Sequence, residues 1–127
     1  MVPKFRAWDK HVKKIRKVTE IHFDDSLIYL KANNGKGYYC SFSDIELMQS
    51  TGLKDKNGVE IFEGDVLTSN VQPCKMVNPI KDGYGVVRFE NGMFKLGAIS
   101  LVTFISKMEV IGNIYENPEL LEKANES

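Results

Sequence analysis

Phe5 and Ala7 alternate with Lys4, Arg6 and Trp8 near the start of the chain. Such period-two alternation predicts a half-buried strand. Asp9-Lys10-His11 then breaks the pattern as a turn. From Val12 to Phe23 the strand formers Ile15, Val18, Ile21 and Phe23 favour extended structure. Val12, Ile15 and Val18 also fit helical i, i+3 spacing, an alternative weakened by three β-branched side chains. Asp24-Asp25-Ser26 reads as a turn, and Leu27–Lys31 and Tyr38–Phe42 as strands. Between them, Asn33-Asn34-Gly35-Lys36-Gly37 has the Asn-Gly content of a hairpin connection. Ser43 or Asp44 can cap a short helical turn through Ile45, Leu47 and Met48, and an extended Leu47-Met48-Gln49 fits equally well.

The second half repeats this style. Asp55-Lys56-Asn57-Gly58 predicts a tight turn, Ile61 and Phe62 point inward, Gly64-Asp65 turns again, and Val66-Leu67-Thr68 opens a strand. From Ser69 to Gly83 two prolines, asparagines and glycine predict a long loop. Tyr84–Glu90 alternates, Asn91-Gly92 is a hairpin signal into Met93–Leu96, and Met108–Tyr115 reads as a last strand. Asn117 and Pro118 suit the N-cap and first position of a terminal helix, with Glu119 and Glu122 in its first turns. The pattern predicts a mainly β fold that closes, or nearly closes, into a small barrel.

Length and composition narrow the function classes. With 127 residues the chain suits one domain with one core, and 43% hydrophobic with 27% charged residues are globular values. No stretch reaches the ~20 apolar residues of a membrane span, and Met1–Arg6 lacks the apolar core of a secretory signal, so a cytoplasmic protein is expected. Cys40 and Cys74 form no CxxC pair and read as free thiols. With His11 and His22 they show no zinc-finger spacing, so neither a metal nor a cofactor is expected.

Lys plus Arg and Asp plus Glu are both 17, which excludes a protein held on nucleic acid by bulk charge. The charge is nonetheless uneven. Residues 1–20 carry seven cations against two acids, and residues 109–127 one cation against five acids. Opposite ends of opposite sign fit a solvated basic hairpin and acidic helix, or else head-to-tail self-association or a small basic face offered to a nucleic acid or an acidic partner.

Three stretches, Lys4–Asp9, Leu47–Val66 and Val110–Leu121, resemble the YopX family of small phage and prophage proteins. The resemblance implies a mainly β fold with an SH3-like barrel or roll in its C-terminal part. It also implies phage or prophage origin in a Gram-positive host. It brings no catalytic residues. On this basis residues 1–127 form a single YopX-like domain, with an N-terminal β region (1–46), an SH3-like β core (47–116) and a C-terminal helix (117–127).

Candidate chemistry is sparse. His22 with Asp24 could orient an imidazole, but no third group accompanies them, and Cys40 lies in no nucleophile motif. The glycines at 83, 85 and 92 form no phosphate-binding loop. No catalytic, cofactor or metal residue is assigned. The candidate contact residues are Arg6, Trp8, Lys13, Lys14, Arg16 and Lys17, with Tyr38, Tyr39 and Tyr84 as possible added platforms. The reading is a non-enzymatic accessory protein acting through protein contacts, as a homo-oligomer or with a phage or host protein. The alternative is a weak nucleic-acid-binding factor using that basic N-terminal face.

Overall fold

The computed structural model describes residues 4–68, 84–97, 99–103 and 105–120. The fold is mainly β, and the chain divides into two compact units, Met1–Ser50 and Thr51–Ser127. The predicted loop from Ser69 to Gly83, Cys74 within it and the end of the terminal helix lie outside the described residues.

In the first unit β1 (Phe5–Asp9), β2 (Lys14–His22), β3 (Leu27–Lys31) and β4 (Gly37–Ser41) are antiparallel neighbours, and β5 (Ile45–Lys54) begins on the other side of β1. The strand order is β4-β3-β2-β1-β5. Lys14–His22 is extended, as its β-branched side chains favour, so the helical alternative is not taken. A 3₁₀ turn, Phe42–Asp44, precedes β5, which continues extended through Leu47-Met48-Gln49. Alternation places Ala7, Ile28, Leu30 and Ile45 in the core, backed by Val18, Ile21, Tyr38, Cys40 and Phe42. A bulge between Val18 and Glu20 inserts Thr19 into β2 without disturbing that core face.

In the second unit Thr51, in the later half of β5, donates its hydroxyl to the carbonyl of Ile61 in β6 (Glu60–Phe62) at 2.8 Å. A second antiparallel sheet has the order β10-β9-β8-β7-β11, made of β7 (Asp65–Thr68), β8 (Tyr84–Glu90), β9 (Met93–Leu96), β10 (Ile99–Ser100) and β11 (Glu109–Asn113). Among the described residues β10 and β11 do not pair, so the sheet is an open roll. Its core is Ile61, Leu67, Val87, Leu96, Leu101 and Met108. Length alone predicts one core, whereas the buried residues form two clusters, because the strands of each unit bury one face within that unit.

Turn chemistry explains the motif residues. Asp55 accepts from the amides of Asn57 (2.8 Å) and Val59 (2.9 Å), closing the predicted turn, and from Val110 in β11 (2.9 Å). Buried Asp65 accepts from the Phe62 amide at 2.8 Å. Asn113 accepts from the amides of Tyr115 and Glu116 and donates to the Glu116 carboxylate, which turns the chain after β11. A short helix starts at Pro118. Asn117 precedes it at the expected N-cap position, its carbonyl accepting from the Leu120 amide at 2.9 Å, while its side chain accepts from the Asn113 amide behind it at 3.3 Å.

Candidate functional site

The first unit presents two different sheet faces. On the core face Asp9, only 2% exposed, is a hub. Its Oδ2 accepts from the Tyr38 hydroxyl at 2.6 Å, and its Oδ1 from the amides of His11 (2.9 Å) and Val12 (3.4 Å). Arg16 Nε donates to the same Tyr38 oxygen at 3.3 Å, and the Cys40 thiol lies 3.9 Å from Asp9 Oδ2. His11 faces Asp44 at 3.2 Å nearby.

Burial alone would raise the Asp9 pKa, but the Tyr38 and amide hydrogen bonds outweigh it and hold the carboxyl below its ordinary value. Burial, followed by the hydrogen bond to Asp9, pushes the Tyr38 phenol up. Burial and the charges of Asp9 and Asp44 push the Cys40 thiol up as well. A thiol raised in this way stays protonated at neutral pH, so the cluster suits cross-linking of strands better than nucleophilic chemistry.

The opposite, outer face is set by register. Arg6 pairs with Lys17, and Lys17 pairs with Lys31, so three cations succeed one another across β1, β2 and β3. Trp8 lies on the same face opposite Ile15. One step along the sheet, Glu20, Tyr29 and Tyr39 form the next cross-strand row. Tyr29 and Tyr39 meet edge to face with ring centroids 4.7 Å apart, and His22 adds a third ring 5.9 Å from Tyr39. Gly37 makes this packing possible, because the Tyr29 ring occupies the space a Cβ on residue 37 would need. His22 contacts Glu20 at 3.0 Å and not Asp24, which lies in the following turn.

Strand alternation therefore separates the six sequence-level contact residues. Arg6, Trp8 and Lys17 share the outer face, with Arg6 and Trp8 half-buried. Lys14 and Arg16 belong to the core-face register, opposite Asp9 and Ala7, and Lys13 sits in the β1–β2 turn at φ 57°. Of the tyrosine platforms only Tyr39 is on the outer face with the cations. Tyr38 faces the core, and Tyr84 belongs to β8. Lys31 and Tyr29 escaped sequence reasoning, although Leu27-Ile28-Tyr29-Leu30-Lys31 contains the signal. Once Ile28 and Leu30 are core, Tyr29 and Lys31 must face away.

A groove of about 660 Å³ runs beside β2, walled by Phe5, Val18, Ile21 and Phe23. Among the described residues no cluster of three His, Cys, Asp or Glu could hold a metal ion, and no helix is long and apolar enough to cross a membrane.

These features define a class: a two-sheet antiparallel β protein whose first sheet carries a carboxylate-centred lock on one face and a cationic, ring-bearing surface on the other. The chain belongs to the YopX family, whose model, described as YopX protein, matches residues 4–122. Among solved structures it is similar to the crystal structure of protein EF1440 from Enterococcus faecalis. The two share 35% sequence identity at a TM-score of 0.69, over 96% of this chain and 99% of that one. Among curated proteins none matches.

Proposed function

We propose that this protein is a non-enzymatic accessory module of phage or prophage origin, acting in the host cytoplasm through protein contacts, the first of them with a second copy of itself. Membership in the YopX family supports the accessory reading, and the phage setting is carried over from the motif resemblance. The edge of β4 carries the self-association reading. β4 ends the strand order, and no strand among the described residues pairs its far side. The Phe42 amide donates to the Ser26 carbonyl at 3.2 Å. By antiparallel alternation, Gly37, Tyr39 and Ser41 then turn their backbone groups away from β3.

Natural edge strands are usually protected by charge, proline or a bulge. Gly37-Tyr38-Tyr39-Cys40-Ser41 has no charged residue or proline, and its register with β3 is unbroken. Antiparallel pairing of two copies about Tyr39 uses the same free backbone groups of Gly37, Tyr39 and Ser41 on each copy. Such pairing is isologous and closes as a dimer.

Analytical ultracentrifugation tests the reading. The native chain is expected to form a dimer that Tyr39→Pro converts to monomer with unchanged circular dichroism, since that amide points away from β3. A strict monomer at millimolar concentration and low salt overturns it, as does a dimer that Tyr39→Pro leaves intact.

A further inference from the structure

The outer face of the first sheet has an arrangement that folding does not require. Lys17 and Lys31 are direct cross-strand partners on β2 and β3, both exposed, and neither has an ion-pair partner among the described residues. Like charges placed opposite one another destabilise a sheet, so a counter-charge from outside relieves the pair. Arg6 continues the row on β1.

About 7 Å along the strands, two residues on, lies the row of rings. Tyr39 is 55% exposed and is held from behind by Tyr29, which Gly37 lets lie against the backbone of β4. An anionic group bound at Lys17 and Lys31 thus has a ring surface beside it. Cations that track a backbone, next to rings that accept unstacked bases, are how open sheet faces take single strands. A duplex keeps its bases stacked and offers nothing to the rings, and an acidic polypeptide uses the lysines but not Tyr39. Glu20, also on this face, opposes a polyanion, but its carboxylate is in contact with the His22 ring at 3.0 Å.

We infer that the β2–β3–β4 outer face binds single-stranded nucleic acid, with Lys17 and Lys31 on phosphate and Tyr39 stacking on a base. The site is complete within one chain and does not depend on pairing at the β4 edge.

Fluorescence anisotropy of the full chain tests it, with labelled oligo-dT, oligo-U, a duplex and poly-glutamate, each at 50 and 200 mM salt. The single strands are expected to bind and to weaken as salt rises. Lys17→Gln with Lys31→Gln should weaken binding at least tenfold and flatten the log-affinity against log-salt slope by about 1.4, the value for two single-strand phosphate contacts. Tyr39→Ala should weaken binding about tenfold, and Tyr39→Phe should restore it. Lys14→Gln, in the register of the opposite face, should leave affinity unchanged. Absence of binding at 50 mM salt overturns the inference. Equal affinity for duplex or poly-glutamate, or a Lys17→Gln, Lys31→Gln double variant that binds normally, overturns it as well. The lysine variants leave the β4 edge untouched, so ultracentrifugation separates failure of this site from failure of the dimer.

Discussion

The Tyr38 hydroxyl donates to Asp9 at 2.6 Å, although Tyr38 is on β4 and Asp9 on β1, three positions apart in the sheet. In a flat sheet three strand spacings separate backbones by about 14 Å. The contact therefore requires the first sheet to curl over its core face until side chains of β1 and β4 can meet. Arg16 on β2 joins the same oxygen, so the curl is pinned at several strands.

Removing the hydroxyl should loosen this curl. Tyr38→Phe keeps the ring but leaves a buried carboxylate short of its strongest donor, and the expected loss is about 2 kcal/mol. Urea denaturation should show a lower midpoint with an unchanged slope. A midpoint within error of the native chain would mean that core packing alone holds the sheet closed.

Two buried carboxyls make stability depend on acid. Burial opposes ionisation of Asp9 and Asp55, yet the hydrogen bonds they accept outweigh it and hold both below the ordinary 3.8. For Asp9 the donors are the Tyr38 hydroxyl and the His11 and Val12 amides, and for Asp55 the Val110, Val59 and Asn57 amides. A carboxyl whose folded pKa is depressed binds fewer protons when folded than when unfolded. Its contribution is fully present above about pH 5 and is lost as pH falls through the depressed value. Denaturation midpoints should therefore be flat from pH 7 to 5 and fall below that. Asp9→Asn and Asp55→Asn should each start lower at pH 7 and fall less steeply.

Cys40 should be a slow thiol. Burial and the charges of Asp9 and Asp44 raise its pKa, so little thiolate forms near neutrality. In a Cys74→Ser background, iodoacetamide at pH 7.5 should modify Cys40 roughly tenfold more slowly than in denaturant. Equal rates in the two conditions would show that the Asp9 cluster opens readily.

Much of this architecture is legible in the chain. Leu27–Lys31 is a strand because its alternation leaves no other face to bury, whereas Tyr84–Glu90, expected to alternate, buries Gly85, Val86 and Val87 in succession and exposes Arg88, Phe89 and Glu90 toward the hairpin end. The turns at Asp55–Gly58 and Asn91-Gly92 follow from residues that accept tight backbone geometry. The candidate site was only half legible. Charge density along the sequence singled out residues 6–17, but a sheet groups residues across strands. Lys17 finds Lys31, 14 residues away, while its neighbour Arg16 turns to Tyr38. The Thr19 bulge sets the pairing of everything after it in β2, and single-sequence periodicity does not locate a one-residue insertion. The Asp9 hub was hidden for a related reason. A polar residue at the end of a strand reads as a turn until the donors brought by β4 are known.

The β8–β9 hairpin gives the sharpest backbone test. Asn91 and Gly92 have φ of 53° and 80°, the left-handed pair that matches the twist of two strands joined by a two-residue turn. Position 92 has open space around its missing Cβ, so an added methyl meets no neighbour and acts through backbone strain alone. Gly92→Ala should cost about 1 kcal/mol. Asn91→Gly should change stability by less, since asparagine already tolerates this conformation and glycine adds unfolded-state entropy. The hairpin supplies Val87 and Leu96 to the second core while Phe89 and Phe94 pack near its tip. Hydrogen exchange in Gly92→Ala should therefore accelerate first at Phe89–Phe94, with Val87 and Leu96 following only at global unfolding. Equal acceleration along the whole of β8 and β9 would mean that the turn, and not the core, holds the hairpin in register.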